Sequence, residues 1–305
     1  MNLIDDLLNR KVLAITGKGG VGKSLCAAAI GQYAANKGRK VCIIENTVDG
    51  QIAPIFGATA GIHQNTPLTD NLDNINLDST KNFRDFVIKH LGYEKLFDKV
   101  FNNNIVKSLI DMLPGVAELT LLGRIYYTAE LSESKYDNVI LDGYSSGHFL
   151  NLLTTPEAIM NSGLIGPIQK ETQNLINFFQ NPTNCGLITV TTPEPLVLSE
   201  CIDFIPQFKN ANFCDLSAIF VNRFIPNSAI VEGSDQSNNL DPQLKSAYEY
   251  AKNRFSFEDS DFKNKIKLFD LPIHYLPEKG AILEPISSGF SKNFLESFDS
   301  NRGFH

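Results

Sequence analysis

Gly17-Lys18-Gly19-Gly20-Val21-Gly22-Lys23-Ser24 sets glycines, two lysines and a hydroxyl into one short run. The run follows the apolar stretch Val12 to Thr16 and precedes an alanine-rich segment. Strand, glycine loop and helix in that order make a phosphate-binding site. The glycines let consecutive backbone N–H groups curl around phosphate oxygens, Lys23 brings a point charge to the β- and γ-phosphates, and the Ser24 hydroxyl can ligate Mg²⁺. The backbone from Gly17 to Leu25 is therefore the expected contact surface for a bound nucleotide's phosphates. A second segment, Tyr136-Asp137-Asn138-Val139-Ile140-Leu141-Asp142, ends an apolar strand in an aspartate. An isolated strand-end aspartate commonly caps a turn. Beside a phosphate loop, Asp142 can instead hold a Mg²⁺ water opposite Ser24.

These residues need a scaffold, and the pattern of the chain supplies one. Short apolar runs rich in Val and Ile recur at Val12 to Thr16, Val41 to Glu45, Val139 to Asp142, Leu187 to Thr191, Ala218 to Asn222 and Pro272 to Tyr275. Helical patterns separate most of them, so the expected fold is α/β, a mainly parallel sheet flanked by helices. In such sheets ligands sit beyond the carboxyl ends of the strands, where Glu45, Asp142, Thr191 and Asn222 fall. About ninety residues separate the second run from the third, far more than a crossover helix needs. The expectation is one domain over 1–305 with an inserted helical subdomain over 58–135. Its start, Asn65 to Asn82, is polar; beyond it Phe83, Phe86, Val87 and Leu91, then Leu119, Leu122, Ile125 and Tyr126, fall at helical spacing. Glu232 to Pro242 reads as a surface loop, and Phe290, Phe294, Leu295 and Phe298 as a final amphipathic helix.

Composition narrows the setting. Of 305 residues, 43% are hydrophobic and 20% charged, which is ordinary for a globular protein, and no apolar run is long enough to span a bilayer. The opening MNLIDDLLNR is too short and acidic for a signal peptide, so the expected location is cytoplasmic. The five cysteines include no CxxC pair and suggest neither a disulfide framework nor a zinc site. A net charge of -7 argues against nonspecific nucleic-acid binding, which basic surface drives.

The early Lys18 makes KGGVGKS resemble the deviant Walker A loop of the ArsA, Get-pathway, MinD and ParA ATPases. Gly143-Tyr144-Ser145-Ser146-Gly147-His148 resembles switch II (DTAPTGH) of the ArsA and Get-pathway branch. LNLLTTP from Leu150, ITVTTPEPLVLSE and PGVAELTLLGRIY look like its bacterial members. The resemblance implies an ATP- and Mg²⁺-binding homodimer in which Lys18 reaches into the partner's nucleotide site. It also implies that Asn222 reads adenine and that Pro277 and Glu278 belong to a loop covering the base. The departure lies in switch I. The family reads STDPAH, with its aspartate positioning the attacking water, whereas this chain reads Glu45-Asn46-Thr47-Val48-Asp49-Gly50-Gln51. Counting back from Phe56-Gly57 places Thr47 at the aspartate; Asp49 or Glu45 can substitute if the loop shifts.

Two functions follow. The first is a dimeric ATPase that switches paired helical subdomains and handles a hydrophobic protein client. The second is a nucleotide-gated binding module with little or no hydrolysis. An arsenite site is disfavoured because Ala58 to Lys135 holds no cysteine for a soft metalloid.

Overall fold

The computed structural model describes residues 3–47, 49–91, 115–130, 136–163, 166–224, 241–243, 245–246, 249–250 and 271–277. In chain order the elements are α1 (Leu3–Leu7), β1 (Val12–Gly17), α2 (Lys23–Asn36), β2 (Val41–Glu45), α3 (Ile52–Ile55), β3 (Asn65–Thr69), β4 (Leu72–Asn76) and α4 (Ser79–Leu91). Then come α5 (Val116–Glu130), β5 (Asn138–Asp142), α6 (Ser146–Asn161), α7 (Pro167–Phe179), β6 (Cys185–Thr191), α8 (Pro195–Ala211), β7 (Asp215–Phe224) and β8 (Ile273–Pro277). The strands form one sheet in the order β3-β4-β2-β5-β1-β6-β7-β8. All neighbours run parallel except β3 and β4.

The continuous apolar runs are explained by burial on both faces. Along β1, Val12 and Ala14 join Leu122 of α5, Phe149 of α6, Leu175 of α7 and Phe204 of α8 on one side. Leu13 and Ile15 join Ile4 of α1 and Ala27 and Ile30 of α2 on the other. Each fully buried Val, Leu, Ile or Phe among them contributes roughly 1.5–3 kcal/mol of transfer free energy, and each alanine less. Small residues let α2 lie close to the sheet: a Cβ on Gly31 would come within 2.9 Å of Ile43 Cδ1. That close seating positions the start of α2 against the end of β1.

All six expected runs are strands, and the mainly parallel α/β architecture agrees with the sequence reading. The segment expected to open a helical insertion differs. Asn65 to Asn76 forms β3 and β4, and β4 extends the sheet beside β2. Its polarity hides the strand because Asn74 and Asn76 of β4 are buried and hydrogen-bonded; Asn74 Nδ2 donates to the Ile43 carbonyl at 3.2 Å, and Asn76 Oδ1 accepts the Thr47 N–H at 3.2 Å. Helices do follow. In α4 and α5, Phe86 meets Gly123 so closely that a Cβ there would lie 2.9 Å from the ring, and α5 buries Leu119, Leu122 and Ile125 against the sheet. Residues 92–114 and 131–135 of that insertion, the loop from 232 to 240 and the expected final helix lie outside the described residues. Among the described residues, no helix is long and apolar enough to cross a membrane.

Candidate functional site

The strand order brings the two sequence motifs together. β5 lies between β1 and β2, with Ile15 in register with Asp142 and Glu45 in register with Asp142 from the other side. The loop 17–22 leaves β1 and turns directly into α2, whose first residue is Lys23. Gly20 and Gly22 have φ of 82° and 96°, a left-handed backbone that side chains disfavour. At Gly22 space is also closed, since a Cβ would lie 2.4 Å from Asn222 Nδ2. Lys23 Nζ donates to the Lys18 carbonyl at 3.1 Å. Burial lowers its pKa from the usual lysine value, and the charge of Asp142 works against that.

Asp142 is 8% exposed, and its Oδ1 has no hydrogen-bond partner among the described residues. Burial pushes its pKa up to about 6; hydrogen bonding from Ser24 opposes the shift, the charge of Glu45 adds to it and Lys23 opposes it. A buried carboxylate beside a serine hydroxyl, with one oxygen left unpartnered among the described residues, fits a hard divalent cation such as Mg²⁺, which binds through oxygen. Ser24 Oγ lies 3.3 Å from Gln51 Oε1, a second acceptor competing with Asp142 for its single hydroxyl proton, so switch I touches the same hydroxyl.

Switch I is organised around Glu45, which is fully buried. Its Oε2 accepts the Gln51 N–H at 2.6 Å and the Thr47 hydroxyl at 3.3 Å. Thr47 N–H donates to Asn76 Oδ1 at 3.2 Å. Asp49 is exposed on the loop between β2 and α3. Switch II is tied to switch I, because Asn46 Nδ2 donates to the Tyr144 hydroxyl at 2.6 Å. Tyr144 O in turn accepts the hydroxyl of Thr16 at 2.9 Å. His148 is exposed in the first turn of α6.

Lys18 does not point into the phosphate loop of its own chain. Its Nζ pairs with Glu200 Oε2 of α8 at 2.7 Å, and Glu200 Oε1 accepts the Ser146 hydroxyl at 3.1 Å. The Lys18 ammonium holds the Glu200 carboxyl below its usual range, with Ser146 adding to the effect. Asn222 sits beside the loop: its Nδ2 donates to the Val21 carbonyl at 2.8 Å and its Oδ1 accepts the Arg223 N–H at 2.9 Å. One amide hydrogen and one lone pair are left for a base. Leu25 lies in the first turn of α2, Pro277 ends β8, and Glu278 is outside the described residues. Gln51, Asn46, Tyr144 and Glu200 stand inside the quoted motifs, but the sequence assigned none of them a contact or a role. Each acts through a partner distant in the chain, and no local spacing announces it.

A phosphate loop on a parallel sheet, with a strand-end aspartate facing its serine, defines a P-loop nucleotide-binding protein. The model of the anion-transporting ATPase family, ArsA_ATPase, matches residues 10–169, just over half of the chain, and the chain belongs to that family. ATPase BagA of Mycobacterium tuberculosis is 25% identical over 224 residues, covering 70% of this chain and 64% of that protein. An ATPase ASNA1 homolog of Entamoeba dispar is 24% identical over 254 residues, covering 71% of this chain and 77% of that one. ATPase ASNA1 homolog 2 of Paramecium tetraurelia is 27% identical over 176 residues, 56% of this chain and 52% of the relative. The chain thus spans less than two thirds of the mycobacterial relative's length.

Proposed function

We propose that this protein is a cytoplasmic Mg²⁺-dependent ATPase that works as a homodimer, its nucleotide state switching the paired helical insertions around a hydrophobic protein client. The observation that carries the reading is the juxtaposition of the phosphate loop with buried Asp142, whose carboxylate interacts with the Ser24 hydroxyl and keeps one oxygen, Oδ1, without a hydrogen-bond partner among the described residues. Lys23 and the amides from Gly19 to Leu25 hold the phosphates, while Ser24 and Asp142 hold the metal. The metal, when bound, neutralises charge on the β- and γ-phosphate oxygens. Lys18 supplies charge across the dimer interface. Its pairing with Glu200 supports that role, because the ammonium is held away from its own phosphate loop while the side chain as a whole stays 42% exposed. The bonds from Ser24 to Gln51 and from Asn46 to Tyr144 give both switches a route to sense the nucleotide.

The test is light scattering of the purified chain with and without Mg·ATP, together with steady-state turnover. The expected result is ATP-dependent dimerisation, and turnover that Lys18→Ala reduces. Native turnover in Lys18→Ala would remove the role across the interface.

Thr47 favours a second reading, a nucleotide-gated binding module with little or no hydrolysis, since a threonine is no carboxylate base. Under it, ATP occupancy alone biases the two states. Brisk turnover by the unaltered protein excludes this reading.

A further inference from the structure

Thr47 stands where the switch I pattern this chain resembles has an aspartate, yet a carboxylate, Glu45, accepts a hydrogen bond from that threonine's hydroxyl. Glu45 ends β2, is fully buried, and is the register partner of Asp142. Its Oε2 accepts the Thr47 O–H at 3.3 Å and the Gln51 N–H at 2.6 Å; the Ile52 N–H lies 3.3 Å from Oε1 and 3.4 Å from Oε2. The backbone of Thr47 is pinned separately by Asn76 Oδ1 at 3.2 Å. The threonine is therefore held at two points. Having donated its proton to Glu45, its oxygen keeps lone pairs with which to accept a hydrogen bond from water. A chain of hydrogen bonds ending in a carboxylate polarises that hydroxyl and makes it a better acceptor. Asp49, the other acid of the loop, is exposed.

We infer that Glu45 is a positioning residue for ATP hydrolysis, orienting the Thr47 hydroxyl so that its oxygen takes the attacking water in place of an aspartate. This rests on the ATPase reading above. In the step itself, the water oxygen bonds to the γ-phosphorus as the bond to the β–γ bridging oxygen breaks. ADP leaves with that electron pair; one water proton stays on the new P–OH and the other passes to a γ-phosphoryl oxygen, so both end on inorganic phosphate. Glu45 and Thr47 gain and lose no proton overall; they set the direction of attack.

The experiment is steady-state ATPase kinetics on the full chain with Mg·ATP, alongside ATP binding and thermal melts. Glu45→Gln, which keeps an oxygen acceptor for the Gln51 N–H, and Thr47→Val are each expected to lower kcat about 10²-fold while KM moves less than about two-fold. Thr47→Asp restores a carboxylate at the water. Beside Glu45 it would place two like charges together, so its gain is expected to be larger in the Glu45→Gln background than alone. A merely structural Glu45 would instead show a lowered melting temperature and raised KM with kcat retained, or the same Thr47→Asp factor in both backgrounds. Either result overturns the inference. Should Glu45→Gln fail to fold, native kcat in Thr47→Val overturns it. ATP binding without turnover in the unaltered protein overturns the inference and leaves nucleotide binding standing. No ATP binding overturns both.

Discussion

The phosphate loop and the switch I loop leave β1 and β2, the two strands flanking β5, and they are built by opposite means. The first is made mostly of backbone: glycines with left-handed φ, a helix start and a lysine whose described hydrogen bond is to the loop's own Lys18 carbonyl. The second is held by side chains. Glu45 gathers Thr47, Gln51 and Ile52, Asn76 reaches in from β4, and Tyr144 from switch II. The difference teaches that a backbone cradle survives sequence drift only if its own residues are kept. A side-chain hub can exchange residues as long as the partners it gathers are satisfied. That is the physical setting in which the switch I segment can carry Thr47 while the glycine loop keeps its motif.

The largest expected effect lies in the cradle. Lys23→Ala removes the loop's cation and should weaken ATP by about 100-fold or more, with the ATP-induced rise in melting temperature lost at millimolar nucleotide. If affinity were retained, the backbone would be doing all the binding and the contrast would sharpen further.

The next effect belongs to the strand between the two loops. Asp142 has its pKa raised by burial to about 6, so at pH 7 the charged form is present and its burial destabilises the metal-free fold. Asp142→Asn should therefore stabilise the metal-free protein at pH 7 by about 1–3 kcal/mol in urea denaturation, and abolish any Mg²⁺-dependent stabilisation. A destabilised variant would mean that Asp142 holds the loops together without a cation, which would blur the distinction between them.

The smallest effect tests the point where the cradle borrows from a distant helix. Lys18 and Glu200 form a half-exposed pair worth at most about 1 kcal/mol. Glu200→Gln should leave the melting temperature nearly unchanged while favouring the ATP-dependent dimer a few-fold, since Lys18 is released. A dimer weakened by this change would show that Glu200 presents the lysine rather than restraining it.

Much of the frame was legible in the chain. Gly17 to Ser24 and Val139 to Asp142 declare themselves because their chemistry is local: a turn that needs glycine, a run that needs burial, an acid where the strand stops. Strands β3 and β4 were not legible, because Asn74 and Asn76 are buried by hydrogen bonding rather than by apolar character. The resting partner of Lys18 was equally hidden, since Glu200 is an ordinary helical glutamate until α8 packs beside the loop.

By itself, then, the sequence determined the α/β class, the phosphate loop and the strand-end aspartate, all properties of residues close together in the chain. Tertiary structure alone decided which carboxylate backs Thr47, where Lys18 rests and how the switches touch. Those depend on contacts such as Lys18–Glu200 and Asn46–Tyr144, which exist only once β5 has been seated between β1 and β2 and the helices have closed over the sheet.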